Sequence, residues 1–430
     1  MSGFSTQQVQ SGFTPGAVQN TAVPPIYQTA AYEFASLADA ADIFALRKPG
    51  NLYSRSASPT QLVLEERVAA LESGVSAVAV ASGQAAVAVT LLALVGPGGH
   101  IVSASQLYGG TVDLFQDTFD DFGISVTFVD QDDAEAWRAA IRPETRALFA
   151  ESVANPVAQV LDTRLIADIA HDAAVPLVID NTVGTPYLVR PGEHGADFVV
   201  HSATKFLSGH GTSLGGVVVD QGSFDFGAQP ERWPQFTEIY PRLGDLVLWE
   251  HFGIGHAFAV LVKTKYVHDL GPSLSPFNAW QILQGIETLD LRVSRQSATA
   301  LAVAEHLAQH PKVAAVHHPG LAGNRWHALA ERYLPRGIPS VFSFDIRGDE
   351  DAGAQTRVAE VIDALEVVRL VANIGDARSL VAHPASMTHS HLNADQRAAA
   401  GISLNTIRLS AGLEEPADII ADLDRALARI

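Results

Sequence analysis

Between residues 76 and 205 the chain repeats one pattern: a short apolar run closing on small or polar residues, then a helical stretch, then another run. The runs read "SAVAVAS", "HIVSAS", "GISVTFVD", "RALFAESV", "PLVIDNT" and "ADFVVHSATK", with "GQAAVAVTLLALV" as a clear helical stretch after the first. Short apolar runs alternating with helices demand a mostly parallel sheet covered by helices on both faces. In such sheets functional residues collect in the loops beyond the strands' carboxyl ends. The tails "ASGQ", "ESVANP", "IDNT" and "HSATK" are therefore where chemistry is expected.

The flanking regions read differently. Pro24, Pro25, Pro49, Gly50 and Pro59 interrupt the first sixty-odd residues, which predict an extended arm carrying "NLYSRSASPT". A helix is predicted from about Gln61 over "QLVLEERVAALESG", with Leu62, Val68 and Leu71 on one face and Gly74 as its stop. Beyond Leu270 come the helix "DLRVSRQSATALAVAEHLAQH", the strand "SVFSFDI" and the helix "TRVAEVIDALEV", which predict a smaller α/β domain starting near residues 270 to 290. No internal repeat or low-complexity tract interrupts this order.

Composition removes several classes of function. The chain has 430 residues, 47% of them hydrophobic, enough for a sizeable core and two domains. It has no cysteine, which rules out disulfides, thiolate nucleophiles and cysteine-based zinc sites. A formal charge of -19 disfavours nonspecific nucleic-acid binding. No window is apolar enough for a membrane span, and "MSGFSTQQVQ" lacks the features of a secretory signal, so a cytoplasmic protein is expected.

Asp180 ends "PLVID", and Lys205 ends the next strand-like run, so both side chains are expected at one rim of the sheet. A lone strand-end Asp is as often a cap, and a lone Lys is usually a solvated surface group. Facing one cavity, the two suit pyridoxal phosphate: the amine forms a Schiff base and the carboxylate keeps the pyridine nitrogen protonated. Ser82 and Gly83 at a strand-to-helix junction offer an anion site, and Ser202 and Thr204 add hydroxyls. Arg55 can supply a bidentate cation, Tyr108 a stacking face, Asn155 an amide for the ring oxygen and Arg408 a carboxylate clamp. Each has a plain structural alternative in packing, turns or surface pairing; a common cavity explains all of them at once.

With these residues in place the chain resembles the Cys/Met-metabolism family of pyridoxal-phosphate enzymes, and within it the O-acetylhomoserine sulfhydrylase branch. The resemblance runs through "PPIYQTAAYEF", "YSR", "SGQAA", "LYGGT", "IDNT", "HSATKFLSGHGTSLGG", "DLGPSLSPFNAW", "QGIETLDLR", "NIGDARSLVAHPASMTHS" and "IRLSAGLE". It implies the aspartate aminotransferase-like fold type I: an arm (1–64), a large cofactor domain with a mostly parallel seven-stranded sheet (65–275) and a C-terminal α/β domain (276–430). It further implies that Lys205 carries the cofactor as an internal aldimine and shuttles protons, that Asp180 pairs with the pyridine nitrogen, and that Tyr108 stacks on the ring and helps activate the substrate amine. Ser82, Gly83, Gln84, Ser202 and Thr204 would hold the phosphate, with Tyr53 and Arg55 reaching it from a neighbouring subunit. Asn155 would sit near the ring oxygen, Tyr53 and Asn155 would also touch substrate, and Ser379 with Arg408 would bind its α-carboxylate.

The implied reaction is γ-replacement: O-acetyl-L-homoserine and sulfide give L-homocysteine and acetate, or methanethiol gives methionine. The implied assembly is a homotetramer of dimers with shared active sites. Two departures stand out. Ser58 replaces the family's usual Asn in "YSRSASPT", with a small effect expected because Ser makes similar turn bonds. Gly109 follows the loop tyrosine where methionine γ-lyases commonly have cysteine, which argues against that activity. Cystathionine γ-synthase and O-succinylhomoserine sulfhydrylase remain alternatives on the same scaffold. A metal hydrolase using His383, His389 and His391 is a remote one, since their spacing fits no helical metal motif.

Overall fold

The computed structural model describes residues 3–17, 20–351, 353–390 and 392–430. Seven strands build the large sheet: β1 (Ser76–Val80), β2 (His100–Ala104), β3 (Ser125–Val129), β4 (Thr145–Glu151), β5 (Leu177–Asp180), β6 (Phe198–His201) and β7 (Gly216–Asp220). Their order is β1-β7-β6-β5-β4-β2-β3, parallel except for β7, which is antiparallel to both neighbours. Six of these strands are the apolar runs read from the sequence. The seventh, "GVVVD", lies in a glycine-rich stretch that pattern alone did not mark.

This inserted strand sets the position of the lysine. Because β7 runs antiparallel to both β1 and β6, the carboxyl ends of β1, β2, β4, β5 and β6 all open on one rim. The chain leaves β6 at that rim, passes through residues 202–215 and returns as β7. Gly216 makes the fit possible, since a Cβ there would lie 1.9 Å from the Ser82 carbonyl oxygen.

A short hairpin, β8 (Ile239–Tyr240) with β9 (Leu246–Val247), precedes the C-terminal part. There β10 (Val313–His317), β11 (Val341–Ile346), β12 (Arg369–Leu370), β13 (Leu380–Ala382) and β14 (Thr406–Ser410) form a second sheet in the order β10-β11-β14-β13-β12. The long helix Leu289–Gln309 and the helix Pro416–Leu427 bury Val303, Leu307, Leu423 and Leu427 in its vicinity. The core of the large sheet includes fully buried Trp137, Phe119, Phe149 and Phe198, and Phe226 stacks on Phe236 with centroids 4.0 Å apart.

The first residues are less extended than expected. Phe4–Gln10 is helical, and Gln8 exchanges hydrogen bonds with Asp290, 2.6 Å from its Nε2 to Oδ1. Leu37–Phe44 is a second helix, capped by Ser36 accepting the Asp39 N–H. Both are short, and the first has no apolar stripe, so periodicity could not announce them. The helix expected from Gln61 runs Pro59–Leu71, with proline at its first position and Ser58 capping it through the Gln61 N–H. The departure at Ser58 is thus a working N-cap. Leu64, Val68 and Leu71 form its buried face, whereas Leu62 is only partly buried. Among the described residues no helix is long and apolar enough to cross a membrane.

Candidate active site

At the common rim the molecule encloses a cavity of about 590 Å³ whose walls include Ser82, Gly83, Gln84, Tyr108, Asn155, Asp180, Ser202, Thr204, Lys205 and Arg408. These residues come from the ends of five strands of the large sheet and from β14 of the second. Their convergence is a product of topology.

Lys205 lies three residues beyond the first residue after β6, where its backbone N–H closes a turn onto the Ser202 carbonyl. Its amine donates to Asn373 Oδ1 at 2.5 Å. Burial, reinforced by the nearby Arg408 charge, depresses its pKa to about 8. A lysine so placed has about a tenth of its amine neutral at pH 7, far more than an ordinary lysine, and nucleophilic attack on an aldehyde requires that form. Asp180 closes β5; one oxygen accepts the Thr182 N–H at 2.9 Å, and burial raises its pKa. A carboxylate in that environment is best stabilised by a cation against it, as a protonated ring nitrogen would be.

The anion end of the cavity is the helix Gly83–Leu94, which follows β1. Ser82 caps it by accepting the Ala85 N–H at 3.1 Å, while the N–H groups of Gly83 and Gln84 precede any helical acceptor. Gly83 is required here, because a Cβ would come within 2.5 Å of the Ser202 Cβ. Strand-end loops of β1 and β6 therefore touch backbone to side chain, and the oriented dipoles favour a phosphate. Gln84 Nε2 donates to the Gly110 carbonyl, and the Thr204 hydroxyl is bonded to Gly215 as both donor and acceptor. Thr204 thus braces the lysine loop as well as lining the cavity.

Tyr108 stands at the rim, 42% exposed, and Gly110 leaves room for its ring, since a Cβ there would lie 2.7 Å from Tyr108 Cε1. Arg408 comes from β14 and is 3% exposed. Its guanidinium donates to Asn155 Oδ1 at 3.3 Å and to the Asn373 carbonyl at 3.0 Å, and its Nε has no partner among the described residues. Burial lowers its pKa only to about 10, so it stays charged. A buried cation with an unused N–H at a cavity wall fits a carboxylate-bearing ligand.

Three expected residues lie elsewhere. Ser379 is fully buried away from the cavity: its hydroxyl donates to Glu414 at 2.8 Å and accepts the Gly412 N–H at 2.9 Å. It therefore braces the turn after β14 and does not line the cavity where a substrate carboxylate was expected to meet it, correcting the expectation for it. Asn373, six residues earlier in the same quoted segment, occupies the cavity wall between Lys205 and Arg408. Tyr53 and Arg55 are exposed on the arm, with the guanidinium 5.4 Å from the tyrosine ring centroid, and they do not line this chain's own cavity.

Sequence reasoning also passed over Glu151, Thr182, Met387 and Thr388, all of which line the cavity. Glu151 heads the inspected tail "ESVANP", but attention fell on its Asn. The histidines of "AHPASMTHSH" have other duties. His383 bonds Ser386 and the Leu404 carbonyl, His389 bonds Thr388 and the Leu107 carbonyl, and His391 lies outside the described residues. Among the described residues no group of three or more histidines and carboxylates is arranged to hold a metal ion.

A lysine with a lowered pKa, a carboxylate three strands from a glycine-opened helix start, and a buried arginine facing one cavity define the class: an α/β enzyme built around pyridoxal phosphate. Comparison with known proteins agrees. The model of the family described as Cys/Met metabolism PLP-dependent enzyme matches residues 5–428. The chain belongs to that family.

Among its relatives, the O-acetyl-L-homoserine sulfhydrylase of Leptospira meyeri is 46% identical over 99% of this chain and 96% of its own. The homocysteine synthase of Schizosaccharomyces pombe is 43% identical over 99% of this chain and 98% of its own. A crystal structure from Campylobacter jejuni, assigned as an O-acetylhomoserine (thiol)-lyase and containing a pyridoxyl-lysine monophosphate, superposes with a TM-score of 0.95. It is 36% identical and covers 99% of this chain and 100% of its own.

Proposed function

We propose that the protein is an O-acetylhomoserine sulfhydrylase, a transferase that replaces the acetyl ester of O-acetyl-L-homoserine with sulfide to give L-homocysteine and acetate. The full-length similarity to sulfhydrylases and homocysteine synthases supports the substrate. The observation that carries the reading is the meeting of Lys205 and Arg408 across one cavity, bridged by Asn373.

Bound pyridoxal phosphate supplies an electron sink for negative charge at the substrate's α-carbon. The chain's own groups do the rest. Arg408, with its unused Nε, and the Asn373 amide orient the substrate's carboxylate. Lys205 would take the α-proton and return it later in the cycle; its lowered pKa suits both directions. Asp180 would accept a hydrogen bond from the protonated ring nitrogen, Tyr108 would cover the ring, and Asn155 would address the ring oxygen. Gly83, Gln84 and Ser202 would hold the phosphate. Acetate departs from the γ-carbon and sulfide enters there, so the cavity must admit a small anion or thiol beside the substrate.

Tyr53 and Arg55 complete the phosphate site of a neighbouring copy, in a homotetramer built from dimers and working in the cytoplasm. Residues 1–64 then serve as the contacting arm, 65–275 as the cofactor domain and 276–430 as the domain contributing the carboxylate clamp. The test is product formation from O-acetylhomoserine plus sulfide, alongside O-succinylhomoserine and with cysteine as alternative thiol. Lys205→Ala should keep the fold and lose turnover by at least about a thousandfold, as expected when a group acting as nucleophile and base is removed. Ordinary homocysteine production by that variant rejects the reading.

A further inference from the structure

Glu151 closes β4 directly beside Asp180, the two residues being register partners on adjacent parallel strands. It is 5% exposed and lines the cavity. One carboxyl oxygen accepts the Tyr108 N–H at 2.6 Å, and the other accepts the Asn155 N–H at 3.1 Å. Tyr108 belongs to the segment after β2 and Asn155 to the loop after β4. A single side chain therefore joins two loops that address the cofactor to the strand end bearing the nitrogen-binding carboxylate.

The arrangement is costly. Burial and the neighbouring Asp180 charge both push the Glu151 carboxyl's pKa upward, although the two N–H groups oppose this. An aliphatic side chain would avoid that cost and lose the tie. The backbone geometry strengthens it: the Ser152 N–H donates to the Asp180 carbonyl at 2.9 Å, and the Asn155 amide oxygen passes the contact on to Arg408. Glu151 thus bonds the backbone of the stacking residue and of Asn155, and Asn155 through its side chain reaches the carboxylate clamp.

We propose that Glu151 is a positioning residue that fixes Tyr108 and Asn155 relative to Asp180, and so sets the seat of the cofactor ring. This rests on the pyridoxal-phosphate reading above. The test uses the full-length holoenzyme and the variants Glu151→Gln and Glu151→Ala. Borohydride labelling of Lys205 in the parent comes first, followed by the cofactor dissociation constant, its visible circular dichroism and the thermal midpoint of each apoprotein.

The Gln variant keeps an acceptor oxygen but exchanges the other for a donor; the Ala variant removes both. The expected result is a graded loss, with cofactor dissociation constants rising about threefold for Gln and about tenfold or more for Ala, in line with the loss of one and two oriented hydrogen bonds. The visible dichroism, which reports ring orientation, should fall in the same order. A purely structural role would lower the apoprotein's thermal midpoint and leave the dichroism of the bound ring unchanged, and that result overturns the proposal. If the Ala variant fails to fold, parental affinity and dichroism in the Gln variant overturn it equally. A parent without label on Lys205 overturns the cofactor reading, and the proposal with it.

Discussion

Lys205 is legible in the sequence as a candidate, but its chemistry comes from neighbours that no local pattern names. Burial and, after it, the Arg408 charge lower its pKa, and Arg408 is 203 positions away in the chain. The consequence is a pH dependence. Attack on the cofactor aldehyde requires the neutral amine, so the rate of pyridoxal-phosphate capture by apoenzyme should rise with pH and level off above a midpoint near 8. Arg408→Gln removes a repelling cation, so it should move the midpoint upward toward that of an ordinary lysine; stopped-flow absorbance across pH 6 to about 10.5 checks both. An unchanged midpoint in Arg408→Gln would assign the depression to burial alone. Ser379 teaches the converse: a hydroxyl in the expected segment is spent on Glu414 and Gly412, because the residue before β13 faces the turn after β14.

At the level of elements, the proposed phosphate site is a contact between two strand-end loops. The helix opening at Gly83 could be read from "SGQAA" alone, since serine followed by glycine before an apolar helical run is a start signal. What makes glycine obligatory is the Ser202 side chain from the far side of β7, visible only after folding. Gly83→Ala places a Cβ where Ser202 already lies, and Ser202 is held by its N–H to Thr182 at 2.8 Å. The expected outcome is a cofactor dissociation constant raised at least about tenfold, with homocysteine synthesis recovering partly at saturating cofactor; equilibrium dialysis and assays at several cofactor concentrations measure it. Strand β7 was missed because an apolar run of three valines after glycines carries too little signal to separate strand from loop. The short helix Leu37–Phe44 escaped for a similar reason: its length gives periodicity only two turns to show itself.

For the whole molecule, the exposed Tyr53 and Arg55 are the residues whose proposed role needs a second copy. If sites are shared, the inactive variants Lys205→Ala and Arg55→Ala should complement each other. Mixed after mild dissociation, they should regain up to about a quarter of parental activity, the statistical share of intact sites when subunits pair at random across a two-fold interface. Each variant alone should stay low, and gel filtration before and after mixing tracks the assembly. No regain on confirmed subunit exchange would reject a site completed by Arg55 of a neighbouring copy.

The sequence by itself determined the layered α/β architecture and six of seven large-sheet strands, and it named as candidates the lysine, aspartate, tyrosine and arginine that line the cavity. These follow from local rules: alternation of buried runs, start and stop residues, and chemistry-bearing tails at strand ends. Tertiary structure alone decided the rest. It inserted an antiparallel β7 that turns the lysine loop back to the rim, brought Asn373 rather than Ser379 to the cavity wall, and set Glu151 beside Asp180. Those outcomes depend on contacts between residues far apart in the chain, whose free energies no local window contains.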